Sequence, residues 1–120
     1  MAIRAIRGAI QLDSDEREHL LKSTAELVAK TLHANDIDNS QLIDILFTAT
    51  PDITSEFPAL AARELGLGEV PLMCFVEMNV KHGMPRVIRI LVHADIDKNR
   101  AEIQHVYLRG ATALRQDLAQ

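Results

Sequence analysis

Val87-Ile88-Arg89-Ile90-Leu91-Val92 is aliphatic throughout except for one arginine, and it reads as the middle of a strand running from Arg86 to Ala94. Burying that arginine alone would cost several kcal/mol, so it needs a partner, a bound ligand or a boundary to water. Met73-Cys74-Phe75-Val76-Glu77-Met78 poses the same problem with a glutamate. A third charge, Arg7, interrupts Ile3-Arg4-Ala5-Ile6-Arg7-Gly8-Ala9. Together the three point to a small protein that holds an anion between strands.

Outward from these runs, residues 2–11 alternate loosely and form a first strand. Asp13-Ser14-Asp15-Glu16 supplies helix-start chemistry, with Asp13 as the cap, Glu16 three positions later, and acids at the positive end of the dipole. Leu20, Leu21, Leu27, Val28 and Leu32 recur at helical spacing and carry an amphipathic helix to about His33. Arg17, Glu18, Lys22, Glu26 and Lys30 make its solvated side, and Asn35-Asp36 with Asp38-Asn39-Ser40 mark a loop.

Leu42 to Phe47 is a second strand, stopped by Thr50-Pro51-Asp52. Pro58 suits the first turn of a short helix, Ala59 to Leu65, closed by Gly66. Pro71 opens a third strand to about Met78, and Lys81-His82-Gly83-Met84-Pro85 turns the chain into the strand carrying Arg89. A short fifth strand covers Val106 to Leu108, and no strong pattern follows Gly110. The order β-α-β-α-β-β-β implies an α+β fold in one domain spanning residues 1–120, a mixed β-sheet with helices packed on one face. The other face would carry Leu, Met, Phe and Val side chains. Association into a closed oligomer would cover it and put sites at strand ends into clefts between subunits.

Composition narrows the function. The formal net charge of −4 and an aromatic content of one Tyr, three Phe and no Trp argue against a nucleic-acid binder. The lone cysteine, Cys74, forms no internal disulfide and suits a reducing compartment. Arg4 and Arg7 break any apolar leader, and nothing approaches the length of a membrane span. A soluble, cytoplasmic protein is expected. His19, His33, His82, His93 and His105 lack ligand spacing, so no metal site is expected, and Gly66-Leu67-Gly68 is a turn rather than a phosphate loop.

Five segments fall in a familiar order: Ile3 to Ala9; Ala49-Thr50-Pro51-Asp52 with Phe57-Pro58-Ala59; Cys74 to Met78; Ile88-Arg89; and His105-Val106-Tyr107-Leu108. Along essentially its whole length the chain closely resembles the AroH-class chorismate mutases. The resemblance implies an isomerase that converts chorismate to prephenate on the way to phenylalanine and tyrosine. It also implies a pseudo-barrel homotrimer with three active sites at subunit interfaces. The reaction is an intramolecular Claisen rearrangement, which requires no nucleophile, proton transfer, metal or cofactor. The enzyme helps by holding the folded conformer and stabilising the charge that separates in the transition state.

Carried over by position, the resemblance makes Arg89 the donor to the ether oxygen, and Glu77 the acceptor of the ring hydroxyl facing the electron-poor ring. Arg7 and Tyr107 would hold the enolpyruvyl carboxylate. Cys74 would contribute through its backbone, since alternation turns its side chain opposite Glu77. Phe57, Met73 and Leu114 would supply apolar walls, with Arg63 near the entrance and Arg115 on a tail over the site. Leu60 stands where relatives often carry a lysine, and Gln116 where a proline is common.

Taken singly, these residues have plainer readings. A strand arginine is most often a rim or interface ion pair, Cys74 a small core hydrophobe, Tyr107 a core aromatic and Arg63 a solvated side chain. Two rival functions also stay open: an enamine/imine deaminase of the Rid type on a similar trimeric scaffold, and a non-catalytic trimeric anion-binding module. The first requires an activated water, and the second leaves Glu77 without a purpose.

Overall fold

The computed structural model describes residues 2–114, and its architecture is one sheet with helices on one side. Five strands, β1 (Ala2–Gln11), β2 (Leu42–Ala49), β3 (Leu72–Val76), β4 (Val87–Ile96) and β5 (Val106–Leu108), lie in the order β3-β2-β4-β1-β5. The sheet is mixed: β4 runs antiparallel to β1 and β2, whereas β3 lies parallel to β2 and β5 parallel to β1. The molecule is 20 Å thick along its shortest axis, the depth of one helical layer on one sheet.

The period-2 pattern decides which side chains meet the helices. Ile6 and Ile10 of β1, Ile45 and Phe47 of β2, and Ile88, Ile90 and Val92 of β4 are buried together. Helix α1 (Arg17–Ala34) lays Leu20, Leu21, Leu27 and Val28 on them, as the helical spacing predicts. Its close approach depends on Gly8, where a Cβ would stand 3.0 Å from Ile90 Cγ1 and 3.1 Å from Thr31 Oγ1. The opposite face of the sheet is covered only at the end carrying Val87, Ala9 and Tyr107, where Ala111 of the turn over Arg109–Ala113 packs on it, and elsewhere Ile3, Met73 and Phe75 are exposed there among the described residues.

Several boundaries differ from the sequence reading. The cap of α1 is Glu16, whose side chain accepts from the Glu18 N–H, and not Asp13. The Asp13 N–H donates to His19 Nε2 instead, and Asp15 turns away to receive the N–H groups of Thr54 and Ser55. The second strand runs two residues beyond Phe47 because Thr48 and Ala49 still pair with both neighbours. Helix α2 covers only Ala59–Ala62 and widens into a π-type turn over Arg63–Leu67, where Gly66 takes φ +90° and stops the helix. The fourth strand begins at Val87 rather than Arg86, whose φ of +54° breaks the extended chain. Arg86 is fixed there by its own N–H donating to Asp52 and its Nε donating to the Leu12 carbonyl.

The third strand ends at Val76, two residues short of Met78. It is an edge strand paired only with β2, so nothing shields its end: Val76 is 73% exposed and Met78 86%. The premise that Glu77 interrupts a buried run is therefore corrected. The glutamate stands just past the strand end between two exposed neighbours, held by its N–H donating to the Ala49 carbonyl at 2.9 Å.

Candidate active site

Register assembles the site. Phe75, Thr48, Arg89, Ala9 and Tyr107 are paired one to the next across β3, β2, β4, β1 and β5, forming a single row on the face opposite α1. Arg89 belongs to this row because Ile88 and Ile90 on either side of it point into the core. Glu77, just past the end of β3, reaches over β2 so that Oε1 and Oε2 lie 3.2 and 3.1 Å from Arg89 Nε. Thr48, on the strand between them, donates from Oγ1 to Glu77 Oε2 at 2.5 Å. The Glu77 side chain is 17% exposed and that of Arg89 41%, so the carboxylate is the better shielded of the two ions.

Arg7 lies one row away, paired with Leu91 and diagonal to Arg89 on the same face. Its backbone N–H donates to His105 Nδ1 at 3.0 Å. Arg7, Leu46, Thr48, Phe75, Arg89 and Leu91 line a depression of about 260 Å³. Two arginines thus border an apolar hollow, with the Glu77 carboxylate held on one of them, an arrangement suited to an anion and to charge of either sign.

The remaining candidates are distributed unevenly. Tyr107 closes the β5 end of the row but is only 5% exposed, packed with Ala9, Val87 and Ala111, and Leu114 leans on the same cluster. Cys74 pairs with Phe47 and packs against the helix-side core, so its thiol faces away from Glu77 as alternation predicts. Phe57 and Cys74 line a second hollow of about 410 Å³, to which Phe75 also contributes. Met73 is exposed beside Leu46 on the uncovered face. Arg63 is exposed in the turn after α2 and lines neither hollow. Leu60 packs on the core, whereas Arg115 and Gln116 lie outside the described residues.

Sequence reasoning missed Thr48 and Phe75. The signal for Thr48 was present: one hydroxyl in a strand whose only other polar residue is Asp44, on the face opposite Ile45 and Phe47. Among the described residues no group of three or more His, Cys, Asp or Glu could hold a metal ion, and no helix is long and apolar enough to cross a membrane.

Comparison with known proteins identifies the family and the fold. The family model for chorismate mutase type I matches residues 3–118. Chorismate mutase AroH of Thermus thermophilus is 44% identical over 117 residues, covering 97% of this chain and 96% of that protein. Chorismate mutase AroH of Bacillus subtilis (strain 168) is 38% identical over 120 residues, covering 99% of this chain and 94% of its own. The solved structure of a chorismate mutase from Clostridium thermocellum superposes with a TM-score of 0.90 at 34% identity, over 92% of this chain and 98% of that one. With sequence and fold both matched across nearly the whole length, this chain belongs to the type I chorismate mutases.

Proposed function

We propose that the protein rearranges chorismate to prephenate at the Arg89–Glu77 pair, in a homotrimer whose sites lie between copies. In the transition state one C–O bond breaks as one C–C bond forms within the same molecule. The ether oxygen gains negative charge and the ring gains positive charge. Arg89 donates to that oxygen through its terminal nitrogens, which take no part in the pairing with Glu77. Glu77 receives the ring hydroxyl and faces the electron-poor ring. Arg7, diagonal to Arg89, takes the enolpyruvyl carboxylate, with Tyr107 at the end of the row as the second donor.

The observation that carries this reading is the orientation of Arg89. A guanidinium already fixed by a carboxylate needs no reorganisation when charge develops, and a donor of that kind is worth about 3–4 kcal/mol of barrier. Cys74 contributes backbone only, since its thiol packs on the other side of the sheet. The chemistry calls for no metal or cofactor. Phe57 and Arg63 stay away from the Arg89 hollow of their own chain, so a neighbouring copy supplies them together with Met73. Assembly of three copies also buries the exposed Met73, Phe75 and Ile3. The lone thiol fits a cytoplasmic enzyme of aromatic amino-acid synthesis, and residues 1–120 act as one domain.

The test is direct: purified protein mixed with chorismate, followed by ultraviolet loss of chorismate and appearance of prephenate. Turnover without added metal or cofactor supports the reading. Unchanged chorismate would favour the deaminase or the anion-binding module.

A further inference from the structure

We infer that Thr48 is a positioning residue for the rearrangement: its hydroxyl fixes the Glu77 carboxylate, which in turn fixes the Arg89 guanidinium. The inference rests on Arg89 and Glu77 being the reacting pair. Glu77 and Arg89 do not sit on neighbouring strands, because β2 lies between them. The carboxylate must span that strand, and Thr48 is the β2 residue in register with Arg89 on one side and Phe75 on the other.

Glu77 Oε2 therefore receives two donors from two strands, Thr48 Oγ1 at 2.5 Å and Arg89 Nε at 3.1 Å. A hydrogen bond to a charged group is stronger than one between neutral groups, and the shielding of Glu77 limits replacement by water. The next β2 residue on the same face, Leu46, has no side-chain donor and shows what an apolar wall alone would place there. The β-branch of threonine restricts χ1, which keeps the hydroxyl aimed. A longer side chain at this position would wedge between carboxylate and guanidinium.

Without the hydroxyl, Glu77 samples other rotamers and Arg89 loses its fixed direction. Charge stabilisation that relies on preorganisation then weakens, while ground-state binding by Arg7 and the apolar walls persists. The loss should fall on kcat rather than KM.

Steady-state kinetics with chorismate on Thr48→Val, Thr48→Ala and Thr48→Ser test this, with thermal melts run on each variant. Thr48→Val and Thr48→Ala should lose about 10-fold or more in kcat with KM within about 2-fold, and Thr48→Ser should recover most of the rate. In a Glu77→Ala background, Thr48→Val should cost less than about 2-fold, because the residue it positions is gone. In the unliganded protein, the Arg89 Nε–H resonance should be slow to exchange and should broaden in Thr48→Val or Thr48→Ala. Near-normal kcat in both donor-free variants while Arg89→Ala is inactive would overturn the role of Thr48 and leave the site assignment intact. Equal damage from serine and valine, or an undiminished penalty without Glu77, would reduce Thr48 to packing. Full activity of Arg89→Ala would remove the site reading and this inference with it.

Discussion

Glu77 and Arg89 meet across an intervening strand, with both carboxylate oxygens within 3.2 Å of the arginine Nε. The contact is made through Nε, beside the hollow that Arg89 lines together with Arg7 and Phe75. Arg89 is 41% exposed, so the pair contributes little to folding, on the order of 1 kcal/mol or less once solvent screening is counted. Its value lies in orientation. Unlike a buried structural ion pair, it can be disturbed with the fold left standing.

A contact that bears on folding is made elsewhere, by Asn35. This residue is fully buried, with Nδ2 donating to the carbonyls of Thr31 and Gln104 at 2.8 and 2.9 Å and Oδ1 accepting from the Gln104 N–H at 2.8 Å. It clips the end of α1 to the segment that leads into β5 and Tyr107. Asn35→Ala removes the side-chain partners of the Thr31 carbonyl and of both Gln104 backbone groups and is expected to cost about 1–3 kcal/mol, read by chemical denaturation. Faster amide exchange at Tyr107 should accompany it, since the clip sets the position of β5.

Asp15 gives a pH dependence with a defined sign. Desolvation alone would raise its carboxyl, but hydrogen bonds from Ser55 and Thr54 outweigh it and hold the group below the ordinary aspartate value. A carboxyl depressed in the folded state adds stability above its unfolded value, about 3.9, and loses it as pH falls through the folded one. Asp15→Asn should therefore be less stable than the parent at neutral pH, and the two should converge in melts taken below about pH 4.

The uncovered face predicts assembly. Ile3 is exposed there, paired with Asp95, about 20 Å along β4 from Arg89 in its own chain. Small-angle scattering should report three chains per particle. Ile3→Glu should shift the population toward smaller species and reduce turnover with it, despite that distance. A fully active monomer would contradict the proposed interfacial site.

Strand existence was legible in the sequence because apolar alternation leaves little choice of face: β1 and β5 end where the pattern ends. The placement of Arg7 and Arg89 on one face follows from the same alternation. What could not be read was whatever depends on distant partners. Asp13 looked like the helix cap, but its neighbour Asp15 is drawn to Thr54 and Ser55, and Glu16 caps instead. Asn35 carried a loop signal, yet its partner Gln104 is 69 residues away. Glu77 and Arg89 were each recognisable as a charge in need of a partner, a ligand or water, whereas the strand between them and its hydroxyl depended on sheet order, which no local pattern encodes.

Chorismate turnover by Arg89→Ala and Arg89→Lys, set against the unsubstituted protein with matched melting temperatures, tests the electrostatic role of this arginine most directly. Loss of about 100-fold or more in kcat is expected for both, because a point ammonium cannot reproduce a guanidinium that binds Glu77 through Nε and, in the proposed mechanism, the ether oxygen through its terminal nitrogens. A near-normal rate in either variant would contradict it.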